Sequence, residues 1–98
     1  MSSSVFLVVT SRRYERLARA LNKQQAKFVA VQVSAIEILQ KDPTNRSGSH
    51  DIKKLTNVGR GEGQWRLAIG RFRFRYDIYE QEAVLQYCGL RTQDEDTY

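Results

Sequence analysis

Residues 64–79, QWRLAIGRFRFRYDIY, alternate apolar and cationic side chains on both sides of one glycine, and this alternation constrains the fold more than any other feature of the chain. A period of two is the signature of a strand with two unlike faces. Phe72, Phe74, Tyr76 and Ile78 fall on one side, and Arg71, Arg73, Arg75, Asp77 and Tyr79 fall on the other. Before the glycine, Trp65, Leu67 and Ile69 share the apolar side and Arg66 the opposite one. Gly70-Arg71 suits a two-residue type II′ turn. The stretch therefore predicts an antiparallel hairpin with an apolar face to bury and a cationic face turned away from the core.

The flanking sequence supplies something to cover the apolar face. Val5–Thr10 is β-branched and short, which suits a strand buried on both faces or paired inside a sheet. Ser11 offers an N-cap, after which Tyr14, Leu17, Ala18 and Leu21 recur at helical spacing while Arg12, Arg13, Arg16 and Arg19 fall on other faces. Asn22 with Gln25 resembles a capping box that opens a second helix bearing Phe28, Val31, Ala35, Ile38 and Leu39. Pro43 should stop that helix at Asp42. The two form a helical hairpin or one longer bent helix.

The glycines of IKKLTNVGRGEG predict irregular structure, and strands are expected over Gln64–Ile69, Phe72–Tyr79 and Ala83–Arg91, with a short turn at Glu80 to Glu82. The order β-α-α-β-β-β implies an α+β fold, a helical hairpin packed on a small, mainly antiparallel sheet. The first strand can join that sheet at an edge or in its middle. In the last strand both parities carry apolar residues, so the pattern leaves the face of Arg91 open.

At 98 residues, one small domain spanning 1–98 is expected. Sixteen Lys and Arg against eleven Asp and Glu leave a net charge of +5, which favours anionic partners: nucleic acid, an acidic protein or a membrane surface. VFLVV falls far short of the roughly 20 residues of a membrane span, and MSSS lacks a basic leader, so the expected location is cytoplasmic. Cys88, the lone cysteine, reads as a buried structural thiol. No metal or cofactor is expected, since GRGEG lacks the spacing and the Lys-Ser/Thr of a phosphate-binding loop. His50 among Ser47, Ser49 and Asp51 reads as loop composition, because neighbours in sequence rarely meet the geometry of a triad.

The cationic face has two readings. Arginines on an open sheet face can be merely solvated; arginine used in preference to lysine, however, matches phosphate bidentately and stacks on bases. With Tyr76 and Tyr79 nearby, such a sheet can serve as a platform for single-stranded RNA.

Lys54-Leu55, Trp65-Arg66-Leu67, Gly70, Phe72-Arg73-Phe74-Arg75-Tyr76, Arg91 and Tyr98, in that order, resemble the C-terminal half of RelE/ParE-superfamily toxins from type II toxin–antitoxin systems. The expected element order matches that family's fold. The resemblance implies a RelE-like ribosome-dependent mRNA endonuclease that attacks the phosphodiester with the RNA's own 2′-hydroxyl, inhibits translation, and is neutralised by an acidic cognate antitoxin. It implies that Arg73 and Arg91 clamp the scissile phosphate, with Tyr98 as base or stacking group. Arg66 and Ala68 stand where RelE carries two lysines. Lys53, Lys54, Arg71 and Arg75 would bind substrate around this set, the lysines acting only if their loop folds over the sheet and otherwise being solvated. Tyr98 is otherwise a frayed terminus. Two further readings stand beside the nuclease: a ParE-like inhibitor of DNA gyrase, and a basic domain of the same fold that binds RNA or protein without toxicity.

Overall fold

A computed structural model describes residues 5–91. Strand β1 (Leu7–Thr10) leads into helices α1 (Arg12–Gln24) and α2 (Phe28–Lys41), followed by strands β2 (Asp51–Lys54), β3 (Trp65–Ile69), β4 (Phe72–Tyr79) and β5 (Glu82–Leu90). The fold is α+β, with two helices against a five-stranded mixed sheet ordered β1-β5-β4-β3-β2. It holds one strand more than expected. β2 begins the stretch whose glycines predict irregular structure, and it is a strand because β3 supplies its ladder, from Asp51 opposite Ala68 to Lys54 opposite Trp65. Four residues carry too little pattern to announce that pairing.

β1 and β2 occupy opposite edges, so the chain between them crosses the whole sheet. α2 does not complete that crossing: its first turn packs on β4 through Phe28, and its last turn lies beside β1, where Gln40 accepts from the Phe6 amide at 2.8 Å, so residues 42–50 carry the chain on to β2. β1 runs parallel to β5 at the edge. Burial on both faces, one expectation for this segment, is not met: Val8 packs against the core, while Leu7, on the other face of the strand, is 59% exposed because the helices cover only one face of the sheet.

Ser11 caps α1 as predicted, its hydroxyl accepting from the amide of Tyr14 at 3.0 Å. The second cap is not where Asn22 and Gln25 suggest. α1 continues through Asn22 to Gln24, Gln25 turns extended (φ −127°), and α2 starts behind Lys27 without a side-chain cap. The apolar stripe of α1 runs to Leu21, and a helix that buries Leu21 must wind past Asn22 to finish its turn. At the far end α2 stops at Asp42, before Pro43, as predicted.

The core joins Tyr14 and Leu21 of α1 and Phe28, Ala35 and Leu39 of α2 to Leu67, Phe74, Tyr76, Leu85 and Cys88 of the sheet. The Phe28 ring sits 6.0 Å from Phe72 and 6.1 Å from Phe74, locking α2 over the hairpin. Tyr14 donates to Gln32 Oε1 and Tyr76 to the carbonyl of Pro43, both at 2.6 Å, and burial raises both phenols well above their ordinary pKa. Cys88 is buried as expected, its thiol pushed up to about 12 by desolvation. Tyr76 lies wholly in the core and offers no surface to a base. No described helix is long and apolar enough to cross a membrane.

The mixed parity of β5 has a structural cause. Tyr76 pairs with Leu85 and Arg75 with Tyr87, so Gln86 is an extra residue, a β-bulge. Ala83 and Leu85 face the core before it; Cys88 and Leu90 do so after it.

Two outcomes test this packing. Tyr76→Phe leaves the Pro43 carbonyl without its donor and should cost about 1–3 kcal/mol, read as a lower urea midpoint at unchanged m-value. Asp42 accepts from the Ser47 hydroxyl (2.6 Å) and from the amides of Arg46 (2.7 Å) and Ser47 (3.2 Å), with His50 3.9 Å away. The Ser47 hydroxyl is the largest influence holding this carboxyl below its ordinary pKa, the two amides and His50 adding to it against some desolvation. A lowered native pKa contributes stability at neutral pH that is lost as pH falls through the carboxylate range. Asp42→Asn should therefore flatten the decline in urea midpoint between about pH 5 and pH 2.

Candidate nucleic-acid interface

The sheet face turned away from Phe28 and Tyr14 carries the arginines, and strand register arranges them in rows. Lys53, Arg66, Arg75 and Tyr87 lie side by side across β2, β3, β4 and β5. One step along the strands, toward the hairpin turn, Asp51, Ala68, Arg73 and Gly89 form a second row. Three strand spacings make each row about 14 Å wide. Like charges set directly opposite one another, as Arg66 is to both Lys53 and Arg75, destabilise a sheet, and the chain holds them with local anchors. Arg66 Nη2 reaches Asp51 Oδ1 at 3.0 Å, and its side chain is only 14% exposed, with Nε buried and without a hydrogen-bond partner. Arg75 Nε donates to the carbonyl of Gly63 at 3.1 Å.

Arg73 is not the solvent-facing side chain that alternation predicts. It is 7% exposed, and Nη1 donates to the carbonyls of Gly70 (2.6 Å) and Phe72 (3.0 Å), so the guanidinium is turned toward its own hairpin. Its row neighbours Ala68 and Gly89 are small, and the Tyr87 hydroxyl lies over Gly89.

Asp77 departs further from the expected open face. It is fully buried, and its carboxylate accepts from the amides of Gly61 (2.9 Å), Gly63 (3.1 Å) and Gln64 (3.0 Å) and from Gln86 Nε2 (3.1 Å). The glycine-rich loop therefore folds over this end of the face. Gly63, at φ +87°, lies so close to β4 that a β-carbon would stand 2.7 Å from that of Arg75. From the same loop Arg60 covers the Tyr79 ring, 4.9 Å from its centroid, and leaves Tyr79 as a roofed ring in place of an open platform.

The two lysines separate. Lys53 stands in the cationic row, whereas Lys54, one residue on, lies on the helix side over the Trp65 ring at 5.6 Å. Lys54 is therefore removed from the expected substrate-binding set. Arg71 and Arg91 are exposed at the hairpin end, where the Arg91 amide donates to the Arg71 carbonyl at 2.7 Å. That bond puts Arg91 in step with Tyr87 and Gly89, resolving the parity left open by the pattern. Tyr98 lies outside the described residues.

Sequence reasoning missed three residues at the β5 side. Tyr87 runs along its strand over Gly89, where a β-carbon would overlap the hydroxyl, and the guanidinium of Arg13 is 5.6 Å from the ring centroid. The signal was present in AVLQYCGL: the apolar parity changes between Leu85 and Cys88, and a bulge there brings Tyr87 to the arginine face.

Comparison with protein-family models, with curated proteins and with solved structures finds no match. The RelE/ParE likeness rests on residues and element order alone. What the face offers chemically is several guanidinium groups and a phenol; arginine supplies positive charge and donors, and cannot serve as a base.

Asp77→Ala tests the frame of this face. With three loop amides and Gln86 left without their shared acceptor, stability should fall by about 3 kcal/mol or more, and proteolysis should begin within residues 59–64.

Proposed function

We propose that this chain is the RelE-like toxin of a type II toxin–antitoxin pair, a cytoplasmic, ribosome-dependent endonuclease that cuts messenger RNA. The observation that carries the reading is the row of cations, Lys53, Arg66 and Arg75, set beside Arg73 on the helix-free side of the sheet. Cleavage by the RNA's own 2′-hydroxyl needs cations that hold the charge of the crowded phosphorane, and preorganised donors are the strongest means to that end. Arg75 and Arg73 would grip the scissile phosphate. Arg66 and Lys53 would hold its neighbour upstream or downstream, and Arg71 and Arg91 the strand as it leaves past the hairpin turn. The base that takes the 2′ proton is a phenolate in this reading, that of Tyr98 by resemblance, and the departing 5′ oxygen takes its proton from solvent. A net charge of +5 suits an acidic antitoxin lying across the same face.

Inhibition of DNA gyrase by binding is the second reading, favoured by Ala68 at a lysine position and by the commitment of Arg73 to hairpin carbonyls.

The purified protein is incubated with a defined mRNA, with and without programmed ribosomes, and new 5′ ends are mapped by primer extension. Cuts should appear only with ribosomes. They should fall about 100-fold or more in Arg75→Ala and Arg73→Gln, the latter chosen because it retains a donor for the hairpin, with circular dichroism confirming the fold of each. Growth arrest by a folded protein that leaves the mRNA whole would overturn the nuclease and turn the weight to gyrase.

A further inference from the structure

We propose that Tyr87, Arg75 and Arg13 form a binding site for one phosphodiester group of single-stranded RNA at the β5 side of the arginine face, with the Tyr87 hydroxyl as a positioning donor. The inference rests on the reading of that face as an RNA surface. Gln86, the bulged residue, is fastened to Asp77 at 3.1 Å, and the next residue, Tyr87, is thereby brought opposite Arg75. Bulges commonly re-aim a side chain in this way. The ring then lies along the strand, so its hydroxyl hangs over Gly89, the residue opposite Arg73. Only glycine permits that, since a β-carbon would overlap the hydroxyl oxygen. The phenol consequently bridges both rows, its ring at the level of Arg75 and its oxygen at the level of Arg73.

Arg13 closes the site from α1. Its guanidinium stands 5.6 Å from the ring centroid, within the range of a cation–π contact, and Glu15, the acid in the first turn of that helix, is engaged by the Thr10 hydroxyl at 2.6 Å. Among the described residues, register sets Arg75 opposite Tyr87 and the ring contact adds Arg13, so guanidinium groups lie on two sides of the phenol. A phenol whose ring is already packed beside Arg13 and over Gly89 donates to an oxyanion without having to be ordered first. A phosphodiester fits this set, with one anionic charge and oxygens that accept from a guanidinium fork and a hydroxyl together.

The test uses a fluorescein-labelled ten-nucleotide RNA with every ribose 2′-O-methylated, so that it cannot be cut, and the full chain. Binding is followed by anisotropy at several salt concentrations. Arg13→Gln should weaken binding about 3- to 10-fold and lower the salt slope by about 0.7, the value for one phosphate contact on a single strand. Tyr87→Phe should weaken it about 3-fold or more at unchanged slope, and Gly89→Ala, which displaces the hydroxyl, should match it. Lys23→Gln, an equal loss of charge at the other end of α1, should change affinity less than 2-fold. Equal effects of Arg13→Gln and Lys23→Gln, or no effect of Tyr87→Phe, would overturn the site, as would no binding by the unaltered chain. Binding with these dependences in a protein that fails to cut on ribosomes upholds the site and overturns the nuclease; cutting by a protein whose binding ignores Tyr87 and Arg13 does the reverse.

Discussion

The carboxylate of Asp77 organises the arginine face of the sheet. Buried on the sheet face away from the helices, it gathers three loop amides and the Gln86 side chain, and a charged acceptor with several donors is stable where a lone buried carboxylate is not. Three consequences follow from that one group. The glycine-rich loop is drawn over the sheet end, so Gly63 can accept from Arg75 and Arg60 can roof Tyr79. The bulge at Gln86 is fastened. Tyr87 is in turn presented among the arginines.

Concentrating guanidinium groups on one face works against stability, and the packing on the other face has to compensate. Arg66 stands between Lys53 and Arg75 in register, where neighbouring positive charges repel. Behind them the core interlocks α2 with the hairpin through Phe28, Phe72 and Phe74, while Tyr76 ties β4 to the end of α2 at Pro43. Short anchors to Asp51, Gly63 and Gly70 fix individual guanidinium groups so that the charges are held in place. Guanidinium groups fixed in this manner fit the proposed phosphate-binding role, since donors already oriented need no reordering on contact.

Much of the fold was legible because local rules sufficed. The alternation of 65–79 set the hairpin and its faces, the Ser11 cap and the stripe through Leu21 set α1, and Pro43 set the end of α2, each a consequence of backbone geometry within a few residues. Where the reading missed, the deciding partner was distant. β2 needs β3, the edge position of β1 needs β5, and the burial of Asp77 needs amides 13 to 16 residues away. Asn22 misled because a capping pattern can occur inside a helix whose apolar stripe runs on.

The candidate site divides along the same line. Sequence alone determined that Arg66, Arg73 and Arg75 share a sheet face opposite the core, since side-chain alternation along a strand is a local property. Only the tertiary structure decided which cations stay together: Lys53 joins the row and Lys54 leaves it by virtue of pairing with β3, and Arg73 turns into its hairpin. It also decided that Tyr87 and Arg13, 74 positions apart in the chain, meet at one corner of that face. Their meeting depends on a single inserted residue in β5, which the parity change in AVLQYCGL signals, and on α1 starting beside that strand, a long-range packing that no local pattern encodes.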